Sequence, residues 1–130
     1  GNILLRQAAG PANPLGQVAI RFPNSYAVYL HDTPSKSQFG KGMRAFSSGC
    51  IRVERPLELV ELLFNDPQQW SREQIEAAIA TGATKDVGLV KPVPILLAYY
   101  TVAVGGDGRI LFKHDIYDRD REVLAALDRR

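Results

Sequence analysis

The chain has one cysteine, one methionine and one tryptophan in 130 residues. A single cysteine excludes an internal disulfide and any metal site built from several thiolates. The two histidines, His31 and His114, have no Cys, Asp or Glu grouped with them at ligand spacing, so neither a metal nor another cofactor is expected. There is no basic arm and no interleaving of aromatic with basic residues, and nucleic acid is not an expected partner. The formal net charge is only +2, with Lys and Arg scattered. No apolar run is long enough to span a bilayer. Membrane contact is therefore expected only through parts of a parent chain outside this sequence. The chain opens Gly1-Asn2-Ile3 with no initiator methionine and no secretory leader pattern, as a mature or trimmed fragment would.

What is present describes an ordinary globular chain: 45% hydrophobic and 23% charged residues, one domain by length over residues 1–130. Residues 1–16 read as a loop rich in Gly, Pro, Ala and Asn. Gln17 to Phe22 alternates and predicts a strand with Val18, Ile20 and Phe22 on one face. Pro23-Asn24-Ser25 is a turn. Tyr26 to His31 predicts a second strand, with Ala27, Tyr29 and His31 sharing a face. A long polar loop, Asp32 to Phe46, allows one helical turn and is either a lid or a static connector whose Phe39 and Met43 plug the core. Cys50 to Val53 reads as a short strand, with Cys50 and Arg52 facing one way.

Pro56 suits the first turn of a helix whose apolar face is Leu57, Val60 and Phe64. Ser71 and Gln74 form a capping box for a second helix, with Trp70 and Ile75 as a hydrophobic staple and Gly82 as its stop. Pro94 to Val104 is almost continuously apolar and predicts a central buried strand. Gly105-Gly106-Asp107-Gly108 predicts a hairpin, returning through Arg109 to Lys113. Without a following Lys-Ser/Thr it is not a phosphate loop. Asp118 is the expected cap of a last helix, with Val123, Leu124 and Leu127 as its stripe and Arg129 and Arg130 at its end.

The chemistry concentrates in Tyr29–Val53. Taken alone, a lone cysteine is a small buried hydrophobe and a lone histidine a satisfied structural one. Here the thiol lies in Ser47-Ser48-Gly49-Cys50, a small-residue turn able to expose sulfur and to aim backbone N–H groups at a carbonyl. His31 ends a strand in His31-Asp32-Thr33. An imidazole accepts a thiol proton and, once charged, stabilises the thiolate, so Cys50 and His31 read as nucleophile and base of a cysteine acyl-transferase. The second ring nitrogen of His31 then needs an acceptor. Adjacent strand residues point to opposite faces, which favours a backbone carbonyl, such as that of Tyr29, over the Asp32 carboxylate. Two roles fit Arg52: holding a substrate carboxylate through its planar fork, or an ion pair with Glu54 or Glu58. The hydroxyls of Thr33, Ser47 and Ser48 either order the turn or meet substrate. His114, in Lys113-His114-Asp115 after the hairpin, reads as a surface residue.

His31-Asp32-Thr33, a gap, then Ser47-Ser48-Gly49-Cys50-Ile51-Arg52-Val53 resembles the YkuD-type L,D-transpeptidases. Their pattern is a histidine, a gap, then (Ser/Thr)-His-Gly-Cys, an apolar residue and Asn or Arg. Ser48 stands where most of the family has a second histidine, a departure similar to the YcbB-like branch with its HDTP and SSGC stretches. It leaves the base to His31. The likeness runs more weakly from about Asn13 to Tyr117. It implies a mixed α/β, β-rich domain, a curved sheet or sandwich with small helices, of which this chain is the C-terminal part. It also implies a peptidoglycan L,D-transpeptidase of the periplasm or cell envelope, acting on stem peptides and acylated by carbapenems. Gly49 and Cys50 would supply oxyanion N–H groups in the Ser47-Ser48-Gly49 turn. Tyr29, Asp32, Thr33 and Arg52 would line the substrate. Two other readings share these residues: a cell-wall cysteine peptidase or carboxypeptidase, and a non-catalytic wall-binding module.

Overall fold

In the computed structural model, which describes Ile3 and residues 7–129, the chain is mixed α/β and forms two compact units, Gly1–Val93 and Pro94–Arg130. The first unit holds a three-stranded sheet, a 3-10 turn and two helices. Strand β1 (Ala19–Ile20) pairs antiparallel with β2 (Leu30–His31), and β2 pairs parallel with β3 (Ile51–Arg52), so β2 is central. A parallel pair needs a crossover. Here it is the long loop, which contains the 3-10 turn Lys36–Gly40. Phe39 is half-buried, but Met43 and Phe46 are exposed, so only Phe39 behaves as a plug.

The alternation read in Gln17–Phe22 holds: Val18, Ile20 and Phe22 are half-buried and Gln17, Ala19 and Arg21 exposed. The strand expected over Tyr26–His31 is cut to its last two residues. Ala27 takes a left-handed φ of 52°, which destroys the two-residue period before it. The cause is local. Asn24 Oδ1 accepts from the N–H groups of Tyr26 and Val28 at 3.0 and 3.1 Å, and its amide donates to the carbonyls of Phe22 and Val28. Asn side chains offer such turns in place of ladder bonds.

Helix α1 (Pro56–Phe64) starts on Pro56, whose missing N–H costs nothing in a first turn, and ends on Asn65 with a left-handed φ of 47°. Helix α2 (Arg72–Ala80) has the expected capping box: Gln74 N–H donates to Ser71 Oγ and Ser71 N–H to Gln74 Oε1. Gly82 follows in the left-handed region, as a helix stop does. Trp70 packs rather than waits for a ligand: its ring stacks on Phe64 at 4.7 Å. Val60 and Ile75 are the buried apolar centre where α1 meets α2.

The second unit is a hairpin and a helix. Strands β4 (Val102–Val104) and β5 (Ile110–Phe112) pair antiparallel across the Gly105–Gly108 loop, closed by Gly108 N–H to the Gly105 carbonyl at 2.9 Å. The buried central strand expected from Pro94 to Val104 does not form. Only its last three residues are strand, and Ile95, Leu96, Tyr100 and Val104 are exposed. An apolar run becomes a central strand only with a hydrogen-bonded neighbour on each side, and β4 has one, β5. Asp118 does not cap α3 (Asp120–Leu127): it has a left-handed φ of 52°, and Asp115 Oδ2 instead accepts from Asp120 N–H at 2.8 Å. Val123, Leu124 and Leu127 are exposed. Arg130 lies outside the described residues.

Candidate active site

The most deeply buried run in the first unit is polar. His31, Asp32 and Thr33 are 6%, 5% and 3% exposed, as deeply buried as the apolar pair Val60 and Ile75 at 9% and 4%. Burying such groups is costly unless they are hydrogen-bonded, and each of these is. Thr33 Oγ1 accepts from Ser35 N–H, turning the chain out of the sheet. Asp32 donates its N–H to the Val18 carbonyl at 2.8 Å, while its carboxylate accepts from Gln17 N–H at 2.9 Å and from Lys36 Nζ at 2.6 Å. Burial alone would push the Asp32 carboxyl up. The hydrogen bonds from Lys36, Gln17 and Thr33, with the charge of Lys36, more than offset this and hold it below the usual carboxylate range.

His31 Nδ1 bonds the backbone carbonyl of Asp32. A carbonyl only accepts, so Nδ1 is the donor in this bond, and in a neutral ring Nε2 would be the nitrogen with the lone pair. The acceptor is a carbonyl, as the strand geometry requires, but not that of Tyr29. The Tyr29 carbonyl is taken by Ile51 N–H in the β2–β3 ladder, at 3.0 Å.

The parallel register, Leu30 with Ile51 and His31 with Arg52, sets Tyr29 level with Cys50. Residues two apart on a strand share a face. Tyr29 and His31 therefore share one face with Cys50 and Arg52, and imidazole and thiol belong to diagonal neighbours. The Tyr29 ring lies 5.8 Å from the His31 ring at a 56° tilt. Burial raises the Tyr29 pKa, and the Cys50 thiolate, through its charge and as a hydrogen-bond partner, raises it further.

Cys50 is half-buried, with its sulfur 4.0 Å from the Ala27 carbonyl. Ser47 Oγ donates to the Cys50 carbonyl at 2.6 Å, which closes the turn; Ser48 and Gly49 are exposed. Arg52 does not pair with Glu54 or Glu58. Glu58 bonds Arg55 at 3.0 Å, while the Arg52 guanidinium donates to the Gln38 side chain and the Phe46 carbonyl, leaving Nε buried and unpartnered. A cation with only neutral partners retains its attraction for an anion. His114 is exposed in the second unit, where its carbonyl accepts from the Tyr99 hydroxyl. A cavity of about 240 Å³ borders Asp32, Lys36, Arg55 and Glu58, without Cys50 or His31 in its wall.

Lys36, Gln38 and Gly16 support this arrangement and were not singled out from the sequence. The spacing of Asp32 and Lys36, four residues apart, was the available signal for the first. Gly16 gave none. Its φ is +60°, and a Cβ there would stand 2.3 Å from Asp32 Oδ2.

Comparison with known proteins gives the family. Residues 2–95 match the family described as the YkuD L,D-transpeptidase catalytic domain. A Haemophilus influenzae protein named "Putative L,D-transpeptidase" is 36% identical over 122 residues, which cover 94% of this chain and 24% of the relative. The chain belongs to the YkuD family of L,D-transpeptidase catalytic domains. It spans about a quarter of the length of that relative.

Proposed function

We propose that this chain carries the acyl-transfer centre of a peptidoglycan L,D-transpeptidase, with Cys50 as nucleophile and His31 as base. The observation that carries the reading is the common face of Tyr29, His31, Cys50 and Arg52, with His31 buried and its Nδ1 bonded to the Asp32 carbonyl, so that Nε2 is the nitrogen left for the thiol. Family membership supplies the substrate class. The Cys50 proton passes to His31 Nε2, and the thiolate attacks the carbonyl of the diamino acid at the third position of a stem tetrapeptide. The N–H groups of Gly49 and Cys50 receive the oxyanion. Collapse breaks the bond to D-alanine, whose amine leaves with the proton from His31, and a thioester remains. The side-chain amine of a neighbouring stem then attacks the thioester, giving a cross-link between third residues and regenerating the thiol. Arg52 holds a substrate carboxylate, and Tyr29 flanks the reacting carbonyl. Asp32, Thr33, Ser47 and Ser48 shape the substrate edge and the turn. The substrate fixes the setting as the cell envelope, in the periplasm.

A carbapenem should acylate the same sulfur. Intact mass spectrometry is expected to show one adduct on the wild-type protein and none on Cys50→Ala, which has no other thiol to substitute. Incubation with disaccharide-tetrapeptide should then yield cross-linked dimer. An adduct with tripeptide as the only product would make the protein a carboxypeptidase. No adduct and no turnover would leave a wall-binding module.

A further inference from the structure

Lys36 lies outside the residues assigned above to the chemistry, yet it touches both strands that carry it. Its ammonium donates to Asp32 Oδ1 at 2.6 Å, to the Glu54 carbonyl at 2.8 Å and to the Val53 carbonyl at 3.5 Å. Asp32 follows the base on β2. Val53 and Glu54 follow β3, which leads on from Cys50. A single cation thus joins the ends of two neighbouring parallel strands, beside the ladder bond from Val53 N–H to the His31 carbonyl at 2.8 Å.

We propose that Lys36 is a positioning residue: by clamping Asp32 to the end of β3 it holds His31 in one tautomer and one orientation towards Cys50. The part concerning Cys50 rests on the function proposed above. The His31 ring hangs on the carbonyl of the next residue, so its orientation is only as fixed as that peptide unit. Beyond its own neighbour Thr33, three residues fix Asp32: Val18 accepts from its N–H, and Gln17 N–H and Lys36 donate to its carboxylate. Lys36 is the only one of these partners that also reaches β3. Without it the carboxylate, 8% exposed, becomes a buried charge with only the neutral backbone donors of Gln17 and Thr33, a state relieved by turning towards water. That turn rotates the peptide and frees the imidazole. Lys36 itself is 46% exposed, so the pair adds little to global stability, and its role lies in orientation.

The test compares wild type, Lys36→Met and Lys36→Arg. Long-range proton–nitrogen NMR reports each imidazole tautomer, with His114→Asn assigning the two rings. Wild type should show a single Nδ1–H form for His31, Lys36→Met a mixture, and Lys36→Arg the single form again. Acylation by a carbapenem should slow about 10- to 100-fold in Lys36→Met, as loss of alignment typically does. Alkylation of Cys50 by iodoacetamide at high pH needs no base, and should stay within about twofold of wild type. An unchanged His31 spectrum in Lys36→Met, or alkylation slowed as much as acylation, overturns the clamp. A Lys36-dependent tautomer in a wild-type protein that no carbapenem acylates supports the clamp and overturns the acyl-transfer reading.

Discussion

Gly16→Ala tests how rigidly the site is held. The new methyl would stand 2.3 Å from Asp32 Oδ2, 2.5 Å from Cγ and 2.6 Å from Cβ, at a φ of +60°. Two costs follow. A non-glycine residue in the left-handed region costs about 1–2 kcal/mol. The carboxylate must also move away, and it is pinned between Gln17 N–H and Lys36. Losing one hydrogen bond to a buried charged group costs about 1.5–3 kcal/mol, and the half-exposed Lys36 bond adds little. The sum is roughly 3–5 kcal/mol. Gly82→Ala is the control, since Gly82 has a φ of +68° and nothing within 4 Å of a built Cβ. It should show only the backbone cost, about 1–2 kcal/mol. Urea unfolding followed by Trp70 fluorescence reads the unit concerned, because Trp70 is the sole tryptophan and stacks on Phe64 there. At a slope of about 1.5 kcal/mol per molar urea, Gly16→Ala should lower the midpoint by roughly 2–3 M and Gly82→Ala by about 1 M. Equal midpoints for the two variants would mean that Asp32 yields without cost, and the reasoning about a rigid seat for His31 would fail.

Two further outcomes follow from the same contacts. His31→Ala should slow carbapenem acylation by about two to four orders of magnitude, the usual loss with a general base, while His114→Ala stays near wild type; a defect in His114→Ala instead would reassign the base. Asp32 has a lowered carboxyl pKa when folded, so its contribution to stability is present above the ordinary carboxyl range and lost as pH falls through the folded value. Urea midpoints measured from pH 7 down to pH 3 should therefore drop for wild type and fall less for Asp32→Asn, and parallel curves would refute the assignment.

Local signals were legible where one residue decides the outcome. Pro56 starts α1 and the Ser71–Gln74 box starts α2, because a missing N–H and a side-chain cap act within one turn. The hairpin at Gly105–Gly108 was readable for the same reason. Reading failed where a side chain competed with the backbone ladder. Asn24 captures the N–H groups that would have extended β2, and Asp115, not Asp118, reaches Asp120 N–H. It failed again at Pro94–Val104, where an apolar run was taken to bring its own partners. In the candidate site, the residues proposed to carry the chemistry are visible as types in a motif. The residues that hold them were not, since Lys36 and Gly16 act through a carboxylate whose burial no sequence pattern states.

That burial divides the work within one residue. The Asp32 carboxylate faces Gln17 and Lys36, while its carbonyl faces the His31 ring. A carboxylate turned to the imidazole would set a negative charge against the ring. A carbonyl orients the ring with no such charge. The negative charge is spent instead on Lys36, where it binds the loop to the ends of β2 and β3. In the proposed mechanism the acceptor is His31, held by a carbonyl and buried within the polar run His31–Thr33.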